Sequence, residues 1–251
     1  MIRTLRSEWF KLRTIRLHVW LPIGAVVLLL VVVGLVALLS SDPETFSGSD
    51  LMSIIGGFTI LVGFVVGVVA ALGVGSEFGH NTIRPTLAAT PDRTRVFVAK
   101  GVVSAIVGLV IGIISVLAAY LLGSILLNAR DASVSLSGGD GSLAVFFGVP
   151  IFLMLLAIFG YGVGLLLRNA PAAVAIVILW PLVIETIFGL VLSVSGFDYP
   201  QRVLPYSAGF HLLTTENGGE GVSRIYGGVL FALFALAITA TGIVVNNRRD
   251  V

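Results

Sequence analysis

The sequence consists of long apolar runs separated by short polar connections. Six runs are long enough to cross a bilayer core, which takes about 20 apolar residues of helix. Each run holds at most one charged residue, and its apolar positions are continuous. Alternating positions would indicate strands of a membrane barrel, so the pattern predicts transmembrane helices. The predicted spans cover residues 20–40, 53–76, 101–127, 143–167, 172–194 and 224–245.

Composition indicates a protein that lies almost entirely in the membrane. Hydrophobic residues make up 57% of the chain and charged residues 11%, whereas a soluble domain carries about 25% charged residues. We therefore predict an all-α polytopic membrane protein with a single transmembrane domain, residues 1–251. The net charge of +2 is too small to indicate a nucleic-acid partner. The lack of cysteine excludes disulfides and thiolate metal sites.

The basic residues predict the orientation of the chain. Twelve of the fifteen Lys and Arg residues precede the first span, lie between spans two and three or four and five, or follow the sixth span. The other connections are poor in bases and rich in Asp and Glu. Basic connections face the cytoplasm by the positive-inside rule. The pattern thus predicts a multi-pass protein of the bacterial plasma membrane with both termini in the cytoplasm.

The segment before the first span, residues 1–19, has the pattern of an amphipathic helix. Most of its apolar residues share one helical face and most of its bases share the other, although Arg16 lies off the basic face. Such a helix lies in the membrane interface and binds anionic lipid headgroups. The candidate interfacial residues are Trp9, Lys11, Arg13 and Arg16. The alternative is a basic segment that only sets the topology.

Motifs for catalysis are missing from the sequence. The two lysines lie in no phosphate-binding loop of the G-x-x-x-x-G-K-[ST] type. The three histidines are far apart, no G-x-S-x-G turn occurs, and no carboxylates cluster to bind a metal. We therefore expect a chain that is not an enzyme on its own and that binds no cofactor or metal.

Glu185 is an acidic residue well inside a predicted span. Placing a carboxylate there costs about 2.5–3.5 kcal/mol on insertion scales, so such groups usually face the interior of the bundle. Glu185 is a candidate for the translocation path, where it would line the route, bind a basic substrate or relay protons. The alternative is a structural acid that hydrogen-bonds to a neighbouring helix.

Two further patterns concern packing. Three Gly-x-x-x-Gly pairs, at Gly63/Gly67, Gly108/Gly112 and Gly160/Gly164, predict close approach between helices. The connection 195–222 is too apolar and aromatic for a solvated loop. It either re-enters the bundle as a short helical hairpin or anchors at the headgroups through its aromatic residues.

The connection from Glu77 to Lys100 is the most informative stretch. Residues Thr90 and Pro91 are expected to cap and begin the third helix. A short surface helix fits between them and Glu77, around residues 81–89, with a mixed polar and apolar surface suited to docking.

This connection resembles that of the membrane permease subunits of ABC transporters of the type-2 exporter class. The shared residues, in order, are Glu77, Thr82, Arg84, Leu87, Pro91, Arg93 and Lys100. The opening stretch from Ser7 to Arg13 is also similar to the start of such permeases. The chain departs at Asn81, where the family usually has Gly.

The resemblance implies a six-helix half-transporter that pairs with a second permease half, as a homodimer or heterodimer. It implies that the connection is a coupling helix contacting a separate P-loop ATPase subunit, which binds the ATP and Mg²⁺. The implied coupling residues are Glu77, Thr82, Ile83, Arg84, Thr86 and Leu87. The resemblance also implies a drug, antibiotic or other small amphiphile as the substrate. A self-sufficient secondary transporter or channel that uses Glu185 is the alternative.

Overall fold

The computed structural model describes residues 16–83, 85, 92–137, 139–216 and 221–248, and every regular element there is helical. Six spans in this part of the chain are long and apolar enough to cross a membrane, which confirms the predicted fold class. Helices α1 to α4 are Arg16–Leu39, Gly48–Gly79, Arg93–Asn128 and Ser142–Leu167, α5 and α6 are Ala170–Leu179 and Glu185–Val194, α7 is Pro205–Phe210, and α8 is Arg224–Arg248. Turns of 3-10 helix cover Pro43–Thr45, Pro200–Arg202 and His211–Leu213, and a π-helical turn, Trp180–Ile184, joins α5 to α6 into the fifth span.

Several helices run beyond their apolar runs. Helix α3 starts at Arg93, because Asp92 is its N-cap and accepts a hydrogen bond from the Arg95 amide at 3.1 Å. The expected cap at Thr90 and Pro91 was therefore wrong by two positions. Hydropathy follows the hydrocarbon thickness, whereas a helix begins where a side chain satisfies its first amides. Among the predicted interfacial residues, Arg16 begins α1, and Trp9, Lys11 and Arg13 lie outside the described residues.

The spans run antiparallel, so the bundle has two ends. We call the end that holds the start of α1 and the end of α8 the terminus end. A hydrogen bond of 2.8 Å from Asn247 to Thr94 joins α8 to α3 there. We call the opposite end the far end, where Ser53 and Thr215 share a hydrogen bond of 3.0 Å.

Helix α4 lies at the centre of the bundle. It packs against α2, α3, α5 and α8, and it is the most deeply buried span in the described part of the chain. The predicted glycine pairs lie on its contacts: Gly160 meets the carbonyl of Gly67 in α2, and Gly108 of α3 lies against the carbonyl of Leu153. Glycine allows this spacing because it has no Cβ, so backbones can touch.

The three bases at the far end all bind backbone carbonyls. Arg130 donates to the carbonyls of Ala37, Leu38 and Ser40 at 2.7–2.9 Å, and so caps the last turn of α1. Arg202 donates to the carbonyl of Gly221 at 3.0 Å. Arg224 donates to the carbonyls of Thr214 and Thr215.

The connection 195–222 returns into the bundle as a helical hairpin. Of the two alternatives that the sequence left open, a re-entrant hairpin or aromatic anchoring at the headgroups, the structure therefore has the hairpin. Helix α7 and the turn after it are buried at Ala208, Gly209, Leu212 and Leu213. The carbonyl of Leu213 contacts Gly56 of α2, and that of Leu212 contacts Gly148 of α4. Both glycines lie two turns inside their helices. We call residues 200–213 the re-entrant hairpin.

The close approach of α4 to α2 gives a direct test. Gly160→Ala would drive a methyl group into the Gly67 carbonyl, and overpacking of this kind costs about 1–3 kcal/mol. We expect thermal unfolding in detergent, followed by Trp fluorescence, to begin at least about 2 °C lower. Gly24→Ala is the matched control, because its Cβ would meet no atom within 4 Å. Equal melting temperatures for the two variants would contradict the packing.

Candidate functional site

A buried ion pair joins α2 to α3 at the terminus end. The Nζ of Lys100 donates to the Oε1 of Glu77 at 2.7 Å. The side chains are only 4% and 15% exposed, respectively. Glu77 belongs to the last turn of α2 and Lys100 to the second turn of α3, so the pair closes the base of the connection between those helices.

Burial makes this pair hard to separate. Removing either charge from water costs several kcal/mol, and the opposite charge offsets that cost only while the pair stays closed. Such a pair contributes little net stability compared with apolar residues, but breaking it is costly. The chain also has an exposed pair, Arg95 with Asp92, which solvent screens and which is worth at most about 1 kcal/mol.

The turn after α2 has the geometry that its sequence allows. Asn81 adopts a left-handed conformation with φ of 56°. Asparagine is one of the few residues other than glycine that enters this region readily. Asn81, in place of the glycine usual in the family, is therefore compatible with this turn. His80 supports it by a bond of 2.9 Å between its Nδ1 and the carbonyl of Ser76.

The first predicted coupling residues after the turn have different environments. Thr82 is exposed and donates to the Glu77 carbonyl at 3.4 Å. Ile83 is 1% exposed and packs into a small apolar cluster with Val96 and Phe97 of α3 and Tyr161 of α4. Ile83 therefore anchors the connection to the bundle, and its contact with an ATPase stays a prediction.

The remaining coupling residues, Arg84, Thr86 and Leu87, lie outside the described residues. Conversely, Lys100 was expected only as part of the family pattern, and its role as the partner of Glu77 was missed. A signal was present: Val96, Lys100 and Val103 follow helical spacing, which places the lysine on the buried face of α3.

The base of this connection is tied to the rest of the terminus end. The Tyr161 hydroxyl of α4 donates to the Phe97 carbonyl of α3 at 2.7 Å, away from solvent. Arg168, after α4, donates to the Asn246 side chain of α8 at 2.7 Å and lies over the Phe78 ring at 5.2 Å. These contacts join the base of the α2–α3 connection to α4 and α8.

Glu185 lies at the start of α6 and is 2% exposed. Its carboxylate accepts four hydrogen bonds: from the Trp180 indole at 3.0 Å, the Tyr206 amide at 2.8 Å, and the Ser207 amide and hydroxyl at 2.8 and 2.7 Å. Tyr206 and Ser207 are in the first turn of α7, where backbone amides need acceptors. Glu185 thus caps the re-entrant hairpin from another helix.

The π-helical turn prepares this contact. The Glu185 amide bonds to the carbonyl of Trp180, five residues earlier. This wider turn brings the two side chains to one side of the helix, where they bond. Pro181, which has no amide to donate, lies inside it. No group of acidic or His residues within the described ranges could hold a metal ion.

The ion pair predicts a difference between single and double variants. Lys100→Met removes the cation that pairs with the Glu77 carboxylate in the protein interior, which costs up to about 3–5 kcal/mol. Glu77→Gln with Lys100→Met removes both charges and should recover most of that loss, measured as the melting temperature in detergent. Asp92→Asn breaks the exposed pair and should cost less than about 1 kcal/mol. A double variant as unstable as the single one would contradict the pairing.

The hairpin predicts a local effect of Glu185. Glu185→Ala leaves the amides of Tyr206 and Ser207 without their acceptor, at about 1–3 kcal/mol for each buried group. We expect amide hydrogen exchange in residues 205–213 to rise at least about tenfold, with little change in α4. Glu44→Ala removes an exposed far-end carboxylate and is the control. Unchanged exchange in the hairpin would show that Glu185 does not cap it.

Comparison with known proteins supplies the family. A family model described as ABC-2 family transporter protein matches residues 4–197, well over half of the chain. The match includes five of the six spans and the Glu77–Lys100 pair. A search of the curated proteins finds no match. The chain therefore belongs to the ABC-2 transporter family, as a multi-pass permease component of an ABC transporter.

Proposed function

We propose that the chain is the permease subunit of an ATP-driven exporter, in which the α2–α3 connection receives movement from a separate P-loop ATPase. The proposal rests chiefly on the buried Glu77–Lys100 pair. If the ends of α2 and α3 moved independently, the connection would deform when the ATPase pushed on it and would transmit little movement. This pair, with Ile83 anchored in the core, makes the ends of α2 and α3 move as one body.

Movement at this end can reach the translocation pathway through direct contacts. Helix α3 is bonded to α4 by Tyr161 and packs against it at Gly108. Helix α2 packs against α4 at Gly67 and lies beside α5 of the fifth span. A second permease half, identical or related, would complete the pathway. Nucleotide binding shifts the two states only by its differential affinity for them.

Charge supports placing the terminus end in the cytoplasm. By sequence, twelve of the fifteen bases belong to this end. The other three lie at the far end, where each donates hydrogen bonds to backbone carbonyls. ATP and Mg²⁺ would bind the partner ATPase, since this sequence has no phosphate-binding loop. The basic segment 1–19 would bind anionic lipid on the same side.

A small amphiphile is the proposed substrate. The alternative of a self-sufficient carrier relied on Glu185 as a substrate or proton site. That alternative has less support, because four donors already hold the Glu185 carboxylate against the re-entrant hairpin.

Co-purification tests the ATPase partner. The chain would be co-expressed with the P-loop ATPase encoded nearest to it and purified by a tag on the permease. Leu87→Asp should reduce the recovered ATPase at least about tenfold, because a central apolar contact is often worth more than 1 kcal/mol. Val203→Asp, the same kind of change at an exposed far-end position, should not. A chain that purifies alone and transports in liposomes under an ion gradient would overturn the proposal.

A further inference from the structure

A cavity of about 590 Å³ lies inside the terminus-end half of the bundle. The described residues that line it belong to α1, α2, α3, α4 and the turn after α2. Helices α5, α6 and α8 contribute none of them, so the cavity lies within one chain and on the opposite side of α2 from the fifth span. Its volume falls in the range of roughly 300–1,000 Å³ that is usual for small-molecule sites.

The cavity is elongated along the helix axes. Because Glu77 pairs with Lys100, Val66 of α2 and Ile111 of α3, which also line it, are level with each other. Each is eleven residues from its member of the pair, which corresponds to about 16 Å of helix. The walls over this length are mainly aliphatic, including Val69 and Val107. An apolar space of this length suits an extended alkyl chain, which is long enough to span it.

Polar groups gather at the mouth of the cavity, at the terminus end. Glu77, Lys100, His80 and Thr82 line it there, and His18, near the start of the described part of α1, lines it as well. The His18 ring lies against α2 at Gly73. Its Nδ1 is shielded from solvent and has no hydrogen-bond partner within the described ranges. A buried ring nitrogen of this kind requires a polar partner, and no described side chain supplies one.

We propose that this cavity binds a single-chain anionic amphiphile of the fatty-acid class, with the alkyl chain between α2 and α3 and the carboxylate at His18. The apolar length fits the chain, and the His18 nitrogen can donate to the headgroup. Lys100 and the rings of His18 and His80 line this end of the cavity and can donate hydrogen bonds to an anion. Val66 and Ile111 place the tail near the middle of the membrane.

The site goes beyond the proposed export function and does not require it. Its ligand contacts both members of the Glu77–Lys100 pair, so its binding is linked to the geometry of the α2–α3 connection. Binding can be measured on the chain alone, without an ATPase. Failure of the ATPase partnership would therefore leave this inference standing, and the reverse also holds.

Photolabelling of the full chain in nanodiscs tests the proposal. The probe is palmitic acid with a mid-chain diazirine, and labelled residues are located by mass spectrometry. We expect labels on cavity residues of α2 and α3, such as Val69 and Val107. Val107→Trp fills the cavity and should reduce this labelling at least about fivefold. Val110→Trp, on the exposed face of the same helix, should leave it unchanged.

A second variant tests the contact between the carboxylate headgroup and His18. His18→Phe keeps a ring of similar shape and removes the donor, so unlabelled palmitate should compete about tenfold less well. The His18→Phe competition measurement also tests the proposal if Val107→Trp fails to fold. Labels confined to lipid-facing residues such as Val110 and Ile114, and unaffected by His18→Phe, would show ordinary surrounding lipid and overturn the proposal. Equal competition by a single-chain quaternary ammonium would overturn the anionic assignment.

Discussion

The close approach of backbones around α4 is the constraint on which the rest of the bundle depends. Lipid tails are as apolar as leucine, so helices in a membrane associate by packing and polar contacts. Gly67 and Gly160 bring α2 onto α4, Gly108 brings α3, and Gly162 lies against Thr239 of α8. Because these contacts involve backbone atoms, even one added methyl group would force the helices apart. The polar ties at both ends form only because the helices are held at this spacing.

Those polar ties follow different rules at the two ends. At the terminus end a charge meets a charge, since Lys100 pairs with Glu77 inside the protein. At the far end each arginine meets backbone carbonyls, as Arg130 does at the end of α1. Both arrangements satisfy polar groups that would otherwise need water as a partner. They differ in consequence, because a buried ion pair resists separation, whereas an arginine on exposed carbonyls can exchange them for water.

The fifth span links the two halves of the molecule differently from the other spans. Its helix is broken by the π-helical turn at Trp180–Ile184, and Glu185 follows directly. That carboxylate holds the first turn of the re-entrant hairpin, so a rotation of α6 would carry the hairpin with it. The terminus end is joined by the Glu77–Lys100 pair, and the far half is joined through Glu185 and its four hydrogen bonds.

The sequence by itself determined the six spans, the all-helical class and the family, because hydropathy, charge asymmetry and family motifs are local in the chain. It could also indicate the glycine contacts, though not which helices they join. Only the tertiary structure decided the start of α3 at Arg93, the burial of Ile83, the pairing of Glu77 with Lys100 and the return of residues 200–213 into the bundle. Glu185 shows the reason most clearly, since its donors are the neighbouring Trp180 and two residues more than twenty positions away. Such contacts depend on how helices pack, and packing is set by three-dimensional complementarity that no local pattern encodes.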